Sequence, residues 1–173
     1  MLVGSEDLEC WISKRSSLRF FMDLFGNQEL LKLPLVAFFA SRSSSSEVYE
    51  LALRWAHEVS ATDRVVISGF HSPVERAVLD VLLQHNRPVV VALGRSLYRR
   101  IPNHLRCAYD ENRLLFISFR HYVRHSLSNS QLRNWAIAEL ASEAVFAPFQ
   151  AESQLSTLYH FLSQSSITAH ILQ

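Results

Sequence analysis

Hydroxyl, guanidinium and imidazole side chains follow three short apolar runs of this 173-residue sequence, and such groups bind anions. The apolar runs are residues 35–40, 65–67 and 89–91, and a glycine follows the second and the third of them within a few residues. Backbone N–H groups and glycines at turns let a phosphate approach closely. We therefore predict that the three turns bind a phosphorylated or polyanionic ligand, through Ser41, Arg42, Ser68, Gly69, His71, Gly94, Arg95, Arg99 and Arg100.

The first of these turns, residues 41–47, is rich in serine and leads into a predicted helix over residues 47–59. A helix N-terminus carries free N–H groups and a partial positive charge, so an anion can bind there with help from Arg42. Ser44 and Glu47 also have the spacing of a capping box, which would use the same N–H groups without any ligand. The two interpretations do not exclude each other.

The formal net charge of +1 conceals a segregation of charge along the chain. Residues 87–133 contain nine arginines, no lysine and two acidic residues, which makes this band +7 and the remainder −6. Such a basic band favours a polyanionic or phosphorylated partner. The alternative is that the arginines pair with acidic residues elsewhere in the fold.

The signatures of common catalytic and cofactor sites are missing from the sequence. His121 and His125 have the spacing of a metal pair on a helix, but no third ligand accompanies them, so we expect no metal site. The Gly-x-Ser-x-Gly and Gly-x-Gly-x-x-Gly patterns are absent, and we predict no cofactor. Glu75 follows Pro73 at a predicted helix start, where a carboxylate is more often a cap than a general base. We assign no catalytic residue.

A strand-turn-helix-strand segment over residues 64–94 is expected to position these turns. Residues 65–67 and 89–91 are β-branched, and apolar residues recur at helical spacing over residues 74–83. Parallel strands joined in this way are buried on both faces and bind ligands at their carboxyl ends. Because strands and helices alternate along the rest of the chain, we predict an α/β fold with a doubly wound, mostly parallel sheet in three αβα layers.

The length and the 49% hydrophobic content are those of one domain with a substantial core. We divide the chain into a helical or loosely structured lead-in, residues 1–33, which packs on the body through an apolar cluster, and a body over residues 34–173. No apolar run is long enough to span a bilayer and no signal peptide is recognisable, so we expect a cytoplasmic protein without a membrane partner. Cys10 and Cys107 are predicted to be free thiols.

Several segments, in order along the chain, resemble the bacterial DNA-processing protein A (DprA, or Smf) family. Residues 24–31 resemble its lead-in, residues 36–42 its strand ending in Gly-Ser-Arg, and residues 68–70 its Ser-Gly-Leu-Ala turn. Residues 89–94 and 101–103 resemble its next strand and its Tyr-Pro-x-x-Asn segment. Arg133 and Asn134 open a segment similar to its Arg-Asn-Arg-Ile-Ile-Ala-x-Leu helix, and they join the candidate site. The resemblance covers residues 24–172.

This resemblance implies a Rossmann-like domain that binds single-stranded DNA in a basic groove, passes it to the RecA recombinase and forms a homodimer. Ala40 stands where the family has a glycine, and Pro73 and Glu75 replace the outer residues of its Gly-Ile-Asp. We therefore predict an altered, glycine-poor anion site. Two alternatives stay open: a nucleotide-sensing or nucleotide-cleaving enzyme on the same fold, and a protein-interaction module without a ligand.

Overall fold

A computed structural model describes residues 22–119 and 127–173 of the chain. The strands are β1 (Met22–Gly26), β2 (Leu35–Phe39), β3 (Val65–Ser68), β4 (Val89–Leu93), β5 (Leu114–Phe119), β6 (Glu143–Phe146) and β7 (Thr168–Ile171). The α-helices are α1 (Ser46–Ser60), α2 (Pro73–Gln84), α3 (Arg106–Asp110), α4 (Leu127–Leu140) and α5 (Gln154–Ser163). Short 3₁₀ helices cover Gln28–Lys32 and Asn103–Leu105.

The strands of the described residues form one sheet in the order β1-β5-β4-β3-β2-β6-β7. β1 runs antiparallel to β5, and every other neighbouring pair is parallel. Strands β2 to β5 are buried along their whole length because helices cover both faces of the sheet, which explains their continuous apolar sequences. The unit β3-α2-β4 is the predicted strand-helix-strand segment, so that prediction is confirmed.

Helices lie on both faces of the sheet and divide the core into two apolar layers. On one face Trp55 of α1 stacks on Phe38 of β2, with ring centroids 4.7 Å apart. On the other face Ile137 of α4 belongs to the same apolar cluster as Phe39. Consecutive residues of a strand point to opposite faces, so one apolar strand serves both layers. The predicted α/β fold, a Rossmann-like, doubly wound, mostly parallel sheet in three αβα layers, is confirmed.

The predicted helical lead-in is wrong for Met22–Gly26, which is strand β1. Phe25 stacks on Tyr109 at a ring-centroid distance of 5.2 Å, and the Asn27 N–H donates to the Leu114 carbonyl at 2.9 Å. The physical reason is that β5 would otherwise present unpaired backbone groups, and pairing with a distant strand overrides the local pattern. Residues 1–21 of the lead-in, with Phe20 and Phe21, fall outside the described residues, and its residues Gln28–Lys32 form a 3₁₀ helix.

The remaining elements continue the alternation of strands and helices predicted from the sequence. Helix α4 covers Leu127–Leu140. Cys107 is an exposed free thiol, and Cys10 is outside the described residues. Within residues 22–119 and 127–173, no helix combines the length and the apolar character that crossing a bilayer requires.

Candidate functional site

The strand order creates a crevice between the carboxyl ends of β2 and β6. From β2 the chain proceeds through β3 and β4 to β5 in one direction, and it then returns to place β6 on the other side of β2. Loops that leave neighbouring strands in opposite directions separate at such a point, which is where open α/β sheets bind ligands. The loop after β2 and the loop after β6 therefore form the first candidate surface.

A cavity of about 220 Å³ occupies this crevice, and we call it the β2–β6 cavity. Ser41 and Arg42 enter it from the loop after β2, while Arg133 and Asn134 enter it from α4. Ser153 enters it from the start of α5. With His71, five of the residues predicted from the sequence are thus brought together, although 93 positions of chain separate Ser41 from Asn134.

A second cavity of similar volume lies at the carboxyl ends of β3 and β4, and we call it the β3–β4 cavity. Its lining includes Gly69, Gly94 and Arg95, three further residues of the predicted site. His71 and Arg133 line both cavities, so they form the wall between them. The two cavities therefore lie side by side along the carboxyl edge of the sheet.

Arg133 is the buried cation of this edge, with 5% of its surface exposed. Its Nε and Nη2 donate to Oδ1 of Asn134 at 3.2 and 2.9 Å. The guanidinium packs against the backbone of Gly69, where a β-carbon would lie 2.6 Å from Nη1. Because a guanidinium is always charged, its position in the wall gives both cavities a fixed positive group.

Glu75 holds the loops of the two cavities together. Its Oε1 accepts from the Ala40 N–H at 3.2 Å, and its Oε2 accepts from the N–H groups of His71 and Ser72 at 2.8 and 3.0 Å. Ser72 Oγ accepts from the Glu75 N–H at 3.1 Å, which completes a capping box at the start of α2. With 3% of its surface exposed and both oxygens engaged, Glu75 acts as the predicted cap.

The capping box predicted at the first turn does not form. Helix α1 has Ser45 as its N-cap residue without a side-chain cap hydrogen bond. Ser44 Oγ donates to the Ser41 carbonyl at 3.3 Å instead, and Ser45 Oγ donates to Glu47 Oε2 at 3.3 Å. The Ser44–Glu47 prediction is wrong because the helix starts one residue later than that pairing requires.

Arg95 is exposed at the mouth of the β3–β4 cavity. Its Cζ lies 5.8 Å from the centroid of the Tyr98 ring, and the ring of Tyr98 meets Phe116 edge to face at 5.5 Å. The Arg95 carbonyl accepts from Ser118 Oγ at 2.6 Å, which ties this loop to β5. A cation and a half-buried aromatic ring are therefore presented together on an anchored loop.

Four exposed arginines lie in the segments that follow β2 and β4: Arg42, Arg95, Arg99 and Arg100. In the part of the chain that the structure describes, none of the four forms an ion pair with a carboxylate. Arg99 and Arg100 line neither cavity and lie on the surface beyond Tyr98. The alternative prediction, that the arginines pair with acidic residues elsewhere in the fold, is therefore wrong for these four arginines.

The basic band of residues 87–133 is divided between two edges of the sheet. Arg87 and Arg113 precede β4 and β5, at the opposite edge, where Arg113 pairs with Glu111 and Arg87 donates to the Thr62 carbonyl. Arg120, His121, Tyr122, Arg124 and His125 fall outside the described residues. Arginines that are close together in the sequence are therefore separated in the folded protein.

Ser68 is placed differently from the other predicted site residues. It is fully buried, it lines neither cavity, and its Oγ accepts from the Phe70 N–H at 3.3 Å. That hydrogen bond lies within a turn in which Phe70 adopts a left-handed φ of +46°. Within residues 22–119 and 127–173, no group of three or more His, Cys, Asp or Glu residues has the arrangement of a metal site.

The lining residues of the β2–β6 cavity that are absent from the sequence prediction include three polar residues on or beside α4 and α5. Ser130 lies on α4 one turn before Arg133, and Ser153 and Gln154 begin α5. Ser153 is the N-cap residue, whose Oγ accepts from the Ser156 N–H at 3.3 Å. A serine three residues before Ser156 at a predicted helix start is a recognisable cap, but its proximity to Arg42 depends on the strand order.

The sequence pattern of the DNA recombination-mediator protein A family matches residues 11–163 of the chain. This match covers most of the sequence, including every residue of the candidate site. No curated protein sequence matches the chain.

Solved structures share the fold at low sequence identity. DNA processing protein A from Streptococcus pneumoniae is 20% identical, with a TM-score of 0.61 over 86% of this chain and 62% of that chain. The protein of that name from Helicobacter pylori, described for a unique single-stranded DNA binding mode, is 15% identical, with a TM-score of 0.69 over 87% and 70%. A molybdenum cofactor (Moco) carrier protein from Chlamydomonas reinhardtii is 8% identical, with a TM-score of 0.53 over 80% and 75%. The chain thus spans less than two thirds of the Streptococcus protein.

Proposed function

Because this chain belongs to the DNA recombination-mediator protein A family, we propose that it binds single-stranded DNA along the carboxyl edge of its sheet. The bound strand crosses the β2–β6 and β3–β4 cavities and passes over the wall formed by His71 and Arg133. The related protein from Helicobacter pylori, described for its single-stranded DNA binding mode, supports this choice of ligand. The proposal assigns the protein a binding function, and no catalytic group takes part.

The observation that carries the proposal is the unpaired positive charge of this edge. Arg42, Arg95 and Arg99 are exposed and, among the described residues, have no carboxylate partner. The carboxylate inside the site, Glu75, accepts hydrogen bonds from three backbone N–H groups and forms no ion pair with these three arginines. Phosphates of a nucleic acid are the natural counterions for such a surface, because binding releases the cations condensed on the strand.

The aromatic ring beside Arg95 favours a single strand over a duplex. Tyr98 is half-buried, with Phe116 behind it and the Arg95 guanidinium over it. In a duplex the bases are stacked on one another, whereas an unpaired base can lie on an aromatic ring for about 1–3 kcal/mol. Arg95 then contacts the phosphate of a nucleotide, and Tyr98 stacks on the base of the same nucleotide.

The resemblance to the DprA family extends the proposal to two protein partners. We include delivery of the bound strand to the RecA recombinase and formation of a homodimer, both in the cytoplasm. Light scattering of the purified protein, with and without oligonucleotide, measures the dimer, and co-elution with RecA tests the second contact. If the protein is a monomer at all concentrations and does not co-elute with RecA, both partners are excluded. The DNA proposal is tested separately.

Fluorescence anisotropy of a labelled oligothymidine, titrated at several salt concentrations, tests the DNA proposal. We expect affinity to fall steeply with salt, with a log–log slope of about 0.7 for each neutralised phosphate. Replacement of Arg95 and Arg99 together by alanine should lower affinity about tenfold or more and reduce the slope by about 1.4. Arg54→Ala is the matched control, because Arg54 is an exposed arginine midway along α1.

Two outcomes of this titration would contradict the proposal. Absence of binding at low salt would exclude nucleic acid as a ligand and favour a free nucleotide or a protein partner. An equal loss of affinity in Arg54→Ala and in the Arg95/Arg99 variant would assign the binding to general charge instead of this edge.

A further inference from the structure

We propose that His57 and His85 form a two-imidazole binding site for a divalent transition-metal ion, of the Ni²⁺ or Cu²⁺ kind. Nδ1 of His57 lies 2.9 Å from Nε2 of His85, and the two rings meet edge to face with centroids 5.1 Å apart. The pair lies at the ends of α1 and α2, whereas the loops of the DNA-binding edge precede the beginnings of these two helices. It is also independent of residues 121–125, the histidine pair recognised in the sequence.

The distance between the two nitrogens suits two ligands of one ion. Each ring has one nitrogen lone pair available in its neutral form, and imidazole is a ligand that Ni²⁺, Cu²⁺ and Zn²⁺ all accept. With metal–nitrogen bonds of about 2.1 Å, a nitrogen separation of this size corresponds to an angle of about 90° at the ion. That angle is typical of neighbouring positions in octahedral and tetragonal coordination, and it is narrower than the tetrahedral angle that structural zinc sites use.

The two histidines lie at the carboxyl-terminal ends of two neighbouring helices. His57 lies in the last turn of α1, and His85 is the C-cap residue of α2. Both helices therefore direct the negative ends of their dipoles toward the pair, and this favours a cation there. Since α1 and α2 pack side by side, the metal needs no large rearrangement of the backbone to reach both rings.

Water would complete the coordination of the bound ion. Both side chains are exposed, and the described residues supply no cluster of three or more His, Cys, Asp or Glu that can hold a metal. Two imidazoles on a preformed surface make an exchangeable site, and the order of affinity should be Cu²⁺ above Ni²⁺ above Zn²⁺. Occupancy would join the ends of two helices whose beginnings carry the loops of the DNA-binding edge.

The test is thermal unfolding of the untagged protein with increasing NiCl₂, with isothermal titration at the same pH. A ligand that binds only the folded state raises the melting temperature with concentration. We expect this rise in the unchanged protein and its loss in His57→Gln and in His85→Gln, each with at least tenfold weaker Ni²⁺ binding. His160→Gln is the matched control, because His160 is also an exposed histidine near a helix end.

Circular dichroism without metal shows whether the two variants fold, so a loss of binding can be assigned to the missing ligand. Ni²⁺ binding of equal strength in the unchanged protein and in both variants would assign the metal to other imidazoles and overturn the proposal. Absence of any Ni²⁺-dependent shift in the unchanged protein would reduce the pair to a hydrogen bond between two histidines.

Discussion

The guanidinium of Arg133 lies against the backbone of Gly69, so closely that a β-carbon at position 69 would stand 2.6 Å from Nη1 and 2.7 Å from Nη2. Gly69 follows β3 and Arg133 belongs to α4, and their contact forms part of the wall between the two cavities. The φ of Gly69 is not in the left-handed region, so glycine is required there for space. The contact with Gly69 thus fixes the position of the buried Arg133 guanidinium in the wall between the cavities.

Gly69→Ala should weaken DNA binding more than it weakens the fold. The added methyl group displaces the end of a long side chain, for which we expect a loss of less than about 1 kcal/mol in the free energy of unfolding. The guanidinium leaves the wall, and affinity for a labelled oligothymidine should fall about three- to tenfold, measured by anisotropy. A double-mutant cycle provides the control: in an Arg133→Ala background the same substitution should have little effect on affinity. Equal losses in both backgrounds would show that the contact is not responsible.

Glu75→Gln should destabilise the protein strongly. The carboxylate accepts three backbone N–H groups, from Ala40, His71 and Ser72. A glutamine offers one oxygen, and its NH₂ group would face donors, which leaves buried N–H groups unsatisfied at about 1–3 kcal/mol each. We expect a loss of about 2–4 kcal/mol in urea unfolding. Glu47→Gln, at the exposed start of α1, should lose less than about 1 kcal/mol, and a similar loss in both variants would refute the role of Glu75.

Gly26→Ala tests whether strand β1 is part of the folded sheet. Gly26 has a φ of +116°, and a β-carbon there would collide with the Leu114 carbonyl and lie 3.2 Å from Cα of Leu115. Both residues belong to β5, and a shift of the β5 backbone would cost free energy. We expect about 2–4 kcal/mol of destabilisation by urea unfolding. Stability equal to that of Gly69→Ala would show that the β1–β5 pairing contributes little.

Cys107 should be alkylated slowly for an exposed thiol. The hydrogen bond from its Sγ to Glu111, together with the negative charge of that carboxylate, raises the pKa of the Cys107 thiol. A raised pKa means less thiolate at a given pH, and the thiolate is the reactive form. In a Cys10→Ser background, Glu111→Gln should speed the reaction with iodoacetamide several-fold at about pH 8. The two rates should converge at a pH above the thiol pKa, and identical rates at about pH 8 would contradict the role of Glu111.

Much of the fold is predictable because burial of parallel strands leaves a local trace. Residues 65–67 and 89–91 are continuously apolar since helices cover both faces of β3 and β4. Strand β1 leaves no such trace: only Met22 of its five residues is buried, and the strand pairs with β5 at the edge of the sheet. The sequence also places the cap of α1 at Ser44, one residue early, because the serines at 44 and 45 are locally equivalent.

The amino-acid sequence by itself determined the strand-helix alternation, the turns that end β2, β3 and β4, and the excess of arginine after them. Local composition and periodicity specify these features, because each depends on residues a few positions apart. Only the tertiary structure decided that β6 returns beside β2, which brings Arg133 against Gly69 and Ser153 into the same cavity as Arg42. It also separated Arg87 and Arg113 from the site by placing them at the opposite edge. The pairing of distant strands depends on the packing of the whole sheet, and no local pattern records it.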